Sequence, residues 1–356
     1  MSIEFAKAKP MTLGGSLPRF FTLGAVILAL TAAYLLASSA ATAAATEINL
    51  FAVAVLGFVF FALFSFAASL AVEGVRKAKD RFVTTLVTSA FLVALVPLAS
   101  LIFTVLSLGL KRFDAEFFSY SMRNILGPGG GAIHAIVGTL EITLIATLIS
   151  VPIGILTAIY LIEYGTGKLA KAVTFLVDVM TGIPSIVAGL FAYAMFALIF
   201  GPGVRMGVAG SVALSVLMIP VVIRSTEEML KIVPNELREA SYALGVPKWL
   251  TVIKVVIPTA IAGIVTGVMI AIARVIGETA PLLLVAGFTA SMNYNPLEGR
   301  MMTLPVFVYT SYANVGSDFQ AYIDRAWAGA LTLMLIVMIL NLGARVVAKV
   351  FAPKKG

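Results

Sequence analysis

Four ionisable residues interrupt stretches that are otherwise apolar: Glu141, Asp178, Arg274 and Glu278. A charge at mid-bilayer costs about 2.5–3.5 kcal/mol on insertion scales, so such residues face a bundle interior or a polar path rather than lipid. Arg274 and Glu278 stand four apart, which on a helix places them on one face and within pairing distance. Two readings stay open for them. They lock helices together, or they form an anion path in which the planar donor fork of Arg274 meets oxyanion oxygens and Glu278 holds or releases the anion. Glu141 lies between Thr139 and Thr143, which share a helical face; the three divide between lining a path and packing. Asp178 is expected to bond a neighbouring helix. Pro184 either kinks its helix or breaks it, and a break would point a half-helix N-terminus starting at Ser185 toward an anion. Gly127–Gly131 reads as a flexible outer loop rather than an anion-cradling nest, and His134 beside it as an interfacial residue.

The elements that position these residues are membrane helices. The 356 residues are 60% hydrophobic and only 12% charged, too little polar surface to coat a water-soluble globule. A span needs roughly 17–25 apolar residues, and eight windows qualify: Phe20–Ala40, Leu50–Val72, Phe82–Leu108, Ile136–Ile162, Val173–Phe200, Gly207–Ile223, Pro258–Phe288 and Ala328–Ala344. The short alternating segments of a β-barrel are absent, so the fold class is an all-α integral membrane protein of about eight transmembrane helices. Of the 25 Lys and Arg, 18 fall in segments on the N-terminal side of the bilayer, six on the other side, and Arg274 within a span. Positive charge marks the cytoplasmic side, so both termini are expected there. The same asymmetry accounts for the +8 net charge through the lipid bilayer, leaving no need for a nucleic-acid partner. The first window is too long for a cleaved signal peptide despite Ala41-Thr42-Ala43, and reads with the second as a retained hairpin. Zero Cys excludes thiolate chemistry and Cys-ligated metal, and the one His, His134, cannot supply a His-rich metal site or a Ser-His-Asp triad with alternatives to spare.

The longest polar connection between spans, Arg224 to Pro258, carries the punctuation of short helices. Ser225 or Thr226 is placed to cap a first turn bearing Glu227 and Glu228. Pro234 suits the first position of a second helix and Gly245 its C-terminal cap. Between them Leu237, Ala240, Ser241 and Leu244 form one small-to-apolar stripe. Pro247 opens a third helix running toward Pro258. A short charged helix held between two spans reads as a docking element for a cytoplasmic partner; the alternative is a solvated surface loop.

Glu239-Ala240-Ser241, Gly245 four residues on, and Val255-Val256-Ile257-Pro258 resemble the EAA loop of ABC-importer permeases, whose pattern is E-A-A, three residues, G, nine residues, then I-x-L-P. Ser241, Val255 and Ile257 are the departures, all small or apolar. Two more segments resemble phosphate-importer permeases: Thr181-Gly182-Ile183-Pro184-Ser185-Ile186-Val187-Ala188-Gly189-Leu190-Phe191, and Ala273-Arg274-Val275-Ile276-Gly277-Glu278-Thr279-Ala280-Pro281-Leu282-Leu283. The continuation after Glu278 is similar to the PstA type of that family. The resemblance implies a six-helix type 1 importer core preceded by an N-terminal helical hairpin: residues 1–80 for the hairpin, 81–132 for the first core helix and outer loop, 133–347 for the permease core with its loop at 225–258, and 348–356 for a cytoplasmic tail. It implies a bacterial or archaeal cell membrane, a paired permease of the PstC type, two ATPase subunits of the PstB type, an extracytoplasmic phosphate-binding protein, and inorganic phosphate as cargo. It makes Glu239, Ala240, Ser241, Gly245, Leu237, Leu244 and Pro258 the ATPase-coupling residues. The phosphate-cradling G-x-x-x-x-G-K-[ST] loop is missing, so this chain is expected to bind no cofactor, with ATP and Mg used by the partner ATPase. The alternatives are an ion-coupled secondary carrier, or a permease for another small oxyanion with a scaffold role in phosphate sensing.

Overall fold

The computed structural model describes residues 16–18, 20–44, 48–316 and 318–351, without the side chains of 43, 44, 348, 350 and 351. Lys7, Lys9 and Arg19, counted above for orientation, and the tail beyond 351 lie outside these residues. The helices are α1 (Phe21–Ala44), α2 (Leu50–Val72), α3 (Val75–Gly109), α4 (Ala115–Ser119), α5 (Ile133–Ile159), α6 (Gly167–Thr181), α7 (Ser185–Phe200), α8 (Gly207–Ile232), α9 (Asn235–Ala243), α10 (Lys248–Thr251), α11 (Ile257–Val275), α12 (Ala280–Val285), α13 (Leu304–Ala313) and α14 (Phe319–Phe351). Among the described residues seven continuous helical segments are long and apolar enough to cross a membrane, and α6 with α7 makes an eighth span if taken together.

Two compact units divide the chain, Met1–Ile102 and Phe103–Gly356. In the first, α1 and α2 form a hairpin along small residues: Ala25, Ala29 and Ala33 are buried on α1, Gly57, Ala62, Ser65 and Ser69 on α2. Small residues let membrane helices approach closely where no hydrophobic effect drives them together. Other positions on the two helices leave Leu23, Phe51 and Leu63 exposed, as lipid-facing surfaces require.

The second unit is built around α5 and α8. Gly154 brings them together: a Cβ there would stand 2.6 Å from Cγ1 of Val222. Ile142 and Ala146 of α5, Leu214 and Met218 of α8, Ala271 of α11 and Leu282 of α12 share one buried cluster with Phe307 of α13. Two of the expected windows are not single helices. Val173–Phe200 is bent by 109° between α6 and α7, and the second half of Pro258–Phe288 is a turn, the short α12 and a loop. Pro184 causes the first break, because the proline ring disfavours helical backbone in Ile183 before it and cannot donate a helical hydrogen bond. It caps α7, so the break replaces the simple kink.

Candidate functional site: the cytoplasmic connection and the broken spans

The connection after Arg224 differs from expectation at its start. No helix begins at Ser225 or Thr226, because α8 runs unbroken to Ile232. The Ser225 hydroxyl donates back to the carbonyl of Val222 at 3.1 Å, and Thr226 is buried within the helix. Arg224 holds this stretch helical, bridging Asp178 of α6 and, at 2.8 Å, Glu227 one turn on. Asp178 thus makes the expected bond to a neighbouring helix. The helix stops at Val233, which takes extended backbone (ψ 123°) before Pro234.

Pro234 caps α9 rather than occupying its first turn. At the other end Gly245 (φ +74°) takes the left-handed conformation that a glycine tolerates. Its N–H bonds to the carbonyl of Tyr242 at 2.9 Å and that of Val246 to Ser241 at 3.2 Å, the paired geometry of a Schellman cap. Arg238 fixes the helix from beneath. Its guanidinium reaches Glu163 at 2.8 Å, with only 4% of the Glu163 side chain exposed, and donates to the carbonyls of Val233 (2.6 Å) and Leu230 (3.0 Å). Ser241 does not share the outer stripe: it is buried, 2.8 Å from the hydroxyl of Thr251 on α10. Leu237, Ala240 and Leu244 do face outward, Leu244 83% exposed, with Glu239 exposed beside them. Pro258 lies in a continuous span, Lys248–Val275. A π turn over Val252–Val256 precedes it and loosens the backbone where a proline ring would strike the carbonyl four residues back.

The intramembrane residues are arranged differently. The expected one-face placement of Arg274 and Glu278 fails, because α11 ends at Val275 and Glu278 lies in the turn beyond it. Arg274 is exposed, Glu278 half-buried, and neither forms an ion pair or side-chain hydrogen bond among the described residues. Glu141 carries a buried Oε2 that likewise lacks a partner. Thr139 is a packing residue: it is buried, donates to Ala135 and accepts the N–H of Leu304 at 2.7 Å, pinning α13 to α5. Thr143 is also buried, and Ser185 is half-buried at the start of α7. The two segments flanking Pro184 and Pro281 do meet. A Cβ on Gly189 of α7 would stand 2.7 Å from Cα of Pro281 on α12, so this seam admits only glycine without movement.

Two anchors escaped the sequence. Glu163 lay just past an apolar window, and nothing in its spacing linked it to Arg238, 75 residues away. In the sequence Arg325 is only an outer positive charge; in the fold it is 1% exposed and donates to the carbonyls of Gly127 (2.7 Å) and Gly129 (2.9 Å). With Arg112 donating to Gly130 at 2.8 Å, the glycine run is pinned by two arginines and turns carbonyls, not N–H groups, toward them. It is therefore neither the flexible loop expected nor an anion nest. His134 is buried against the edge of Phe307, not interfacial.

Comparison with known proteins agrees with this geometry. Residues 150–356 match the model of the family described as binding-protein-dependent transport system inner membrane component. The chain is 43% identical over 275 residues to the phosphate transport system permease protein PstA 1 of Mycobacterium tuberculosis (strain CDC 1551 / Oshkosh), covering 76% of this chain and 89% of that one. It is 40% identical over 283 residues to PstA of Pasteurella multocida (strain Pm70), covering 79% and 96%. Among solved structures it resembles in fold the MetNI methionine ABC transporter in an inward-facing conformation (TM-score 0.52, 21% identity, 62% of this chain and 95% of that one) and a bacterial alginate ABC transporter in complex with its pentasaccharide-bound periplasmic protein (TM-score 0.54, 14% identity, 78% and 97%). An all-helical membrane fold, an EAA-type loop capped at Gly245 and this kinship together place the chain in the PstA family, as a transmembrane permease subunit of an ABC importer of phosphate.

Proposed function

We propose that α9 is the element through which a separate ATPase drives this permease, and that phosphate passes beside Arg274. The observation that carries the first statement is the two-sided construction of α9. Arg238 and Ser241 fasten its inner face to the membrane body, while Leu237, Leu244 and Glu239 present an outer face to a partner. A helix so fixed transmits a push as rigid displacement rather than absorbing it. The partners are two PstB-type ATPase subunits binding ATP and Mg, a PstC-type permease beside this chain, and an extracytoplasmic phosphate-binding protein. Both termini lie in the cytoplasm. Arg274 offers a guanidinium fork to a phosphate of about −1.5 charge near neutral pH. That Arg274 has no ion-pair or side-chain hydrogen-bond partner among the described residues supports that role.

Gly245→Val places a β-branched residue at φ +74° and misaligns the end of α9. Glu239→Lys inverts charge on its outer face. In reconstituted complex both variants insert and assemble normally, while phosphate uptake and transport-stimulated ATP hydrolysis fall together. Wild-type levels of both activities in both variants would contradict the docking role.

A further inference from the structure

The N-terminal unit contains a groove that the transport reading does not use. It is a cavity of about 730 Å³ bordered by α1, α2 and α3. Its mouth carries Lys77, Asp80 and Arg81, and its far end Val26, Phe61 and Leu92. Arg81 to Leu92 along α3 is roughly 16 Å at about 1.5 Å per residue, and half of a hydrocarbon core is about 15 Å. The groove therefore runs from a charged surface through the depth of one leaflet. Positive charge clustered at the start of α3 (Arg76, Lys77, Lys79, Arg81) assigns that surface to the cytoplasmic side.

The charges at the mouth divide into a committed pair and a free one. Glu73 is committed: it accepts from the N–H of Leu17 at 3.1 Å, from the Ser69 hydroxyl at 2.8 Å and from Arg81 at 3.0 Å. Those contacts hold its carboxyl below the ordinary carboxylate range, the Leu17 N–H foremost. Lys77 and Asp80 are exposed, one turn apart, and without an ion pair among the described residues. Deeper in, Ser65 is 4% exposed, lines the groove, and has no hydrogen-bond partner among the described residues. Lys77 and Asp80, neither in a salt bridge among the described residues, the Ser65 hydroxyl and the apolar Val26, Phe61 and Leu92 fit a ligand with a phosphate, a primary ammonium and a hydrocarbon chain.

We propose that this groove binds one molecule of phosphatidylethanolamine from the cytoplasmic leaflet, its phosphate at Lys77, its ammonium at Asp80, and one acyl chain along Phe61 and Leu92. An anionic headgroup would leave Asp80 without a counter-charge. Phosphatidylcholine has no N–H to donate to Asp80. The lipid wedges the three helices apart at a fixed spacing, which gives the N-terminal unit a structural ligand of its own.

The test is native mass spectrometry of the full-length chain purified in mild detergent from membranes holding both phosphatidylethanolamine and phosphatidylglycerol. One phosphatidylethanolamine per chain is expected, enriched roughly tenfold over its share of the membrane, a difference within reach of two headgroup contacts. Lys77→Ala with Asp80→Ala alters only exposed side chains and abolishes the enrichment. Ser65→Leu fills the groove and removes the lipid; Thr88→Leu, at an exposed position on the same wall, does so without touching a buried site. Three results would each overturn the proposal: retention without headgroup preference, preference for phosphatidylglycerol, or variants that retain the lipid like wild type. Capture of a polypeptide rather than lipid by a photo-crosslinker at position 88 would do the same.

Discussion

Charges at the cytoplasmic end of the permease core and charges near the breaks in its spans are handled in opposite ways. Around α9, Arg238 is saturated by Glu163 and two carbonyls, and Arg224 by Asp178 and Glu227. Arg274 and Glu278 at and beyond the end of α11, and Glu141 on α5, find no such partners among the described residues. Pairing in a low-dielectric setting offsets desolvation and fixes geometry, so the first set makes a frame. An unpaired charge near the bilayer is tolerated only beside water, a ligand or a second chain. On the function proposed above, the first set transmits force and the second is left free to meet phosphate.

The comparison is broken most severely by giving the frame an unpaired charge. Arg238→Ala leaves Glu163 buried and alone, which costs about 3–5 kcal/mol. The thermal midpoint of purified permease should fall, and Glu163→Gln in the same chain should restore much of it; no recovery would mean that Arg238 acts through packing alone. Next in size is Gly189→Ala, which sets a methyl group against Pro281 and costs about 1–3 kcal/mol of strain. It should depress uptake more than ATPase docking, since the seam lies away from α9. Equal losses of both would dissolve the distinction between frame and path. The smallest effect belongs to Ser241→Ala, which removes the bond to Thr251 and is worth about 1 kcal/mol. Uptake should stay near normal while hydrogen exchange in α9 quickens.

How far the sequence revealed this depends on how far apart the interacting residues lie. Punctuation is local, so Pro234 and Gly245 located α9 to within a residue, and the Gly245 cap follows from its backbone alone. The start of the connection failed because Ser225 and Thr226 carry capping chemistry that the Arg224 bridges to Asp178 and Glu227 overrule. The pairing of Arg274 with Glu278 failed for a related reason. Four-residue spacing implies contact only while the helix continues, and nothing apolar marked its end at Val275. Glu163 with Arg238, and Arg325 with the glycine run, are long-range contacts that no spacing rule reports. The seam between Gly189 and Pro281 joins two recognisable segments, yet only the fold shows that they touch.

The proposed path depends on the freedom of Arg274, and the most direct test removes the charges on both sides. Arg274→Gln with Glu278→Gln removes both charges without breaking a contact, because neither side chain is paired among the described residues. The measurement is uptake of labelled phosphate into proteoliposomes holding equal amounts of assembled complex. The double variant should assemble, engage its ATPase and hydrolyse ATP, yet move little phosphate. Near-normal uptake would contradict the path and leave these residues as parts of the scaffold.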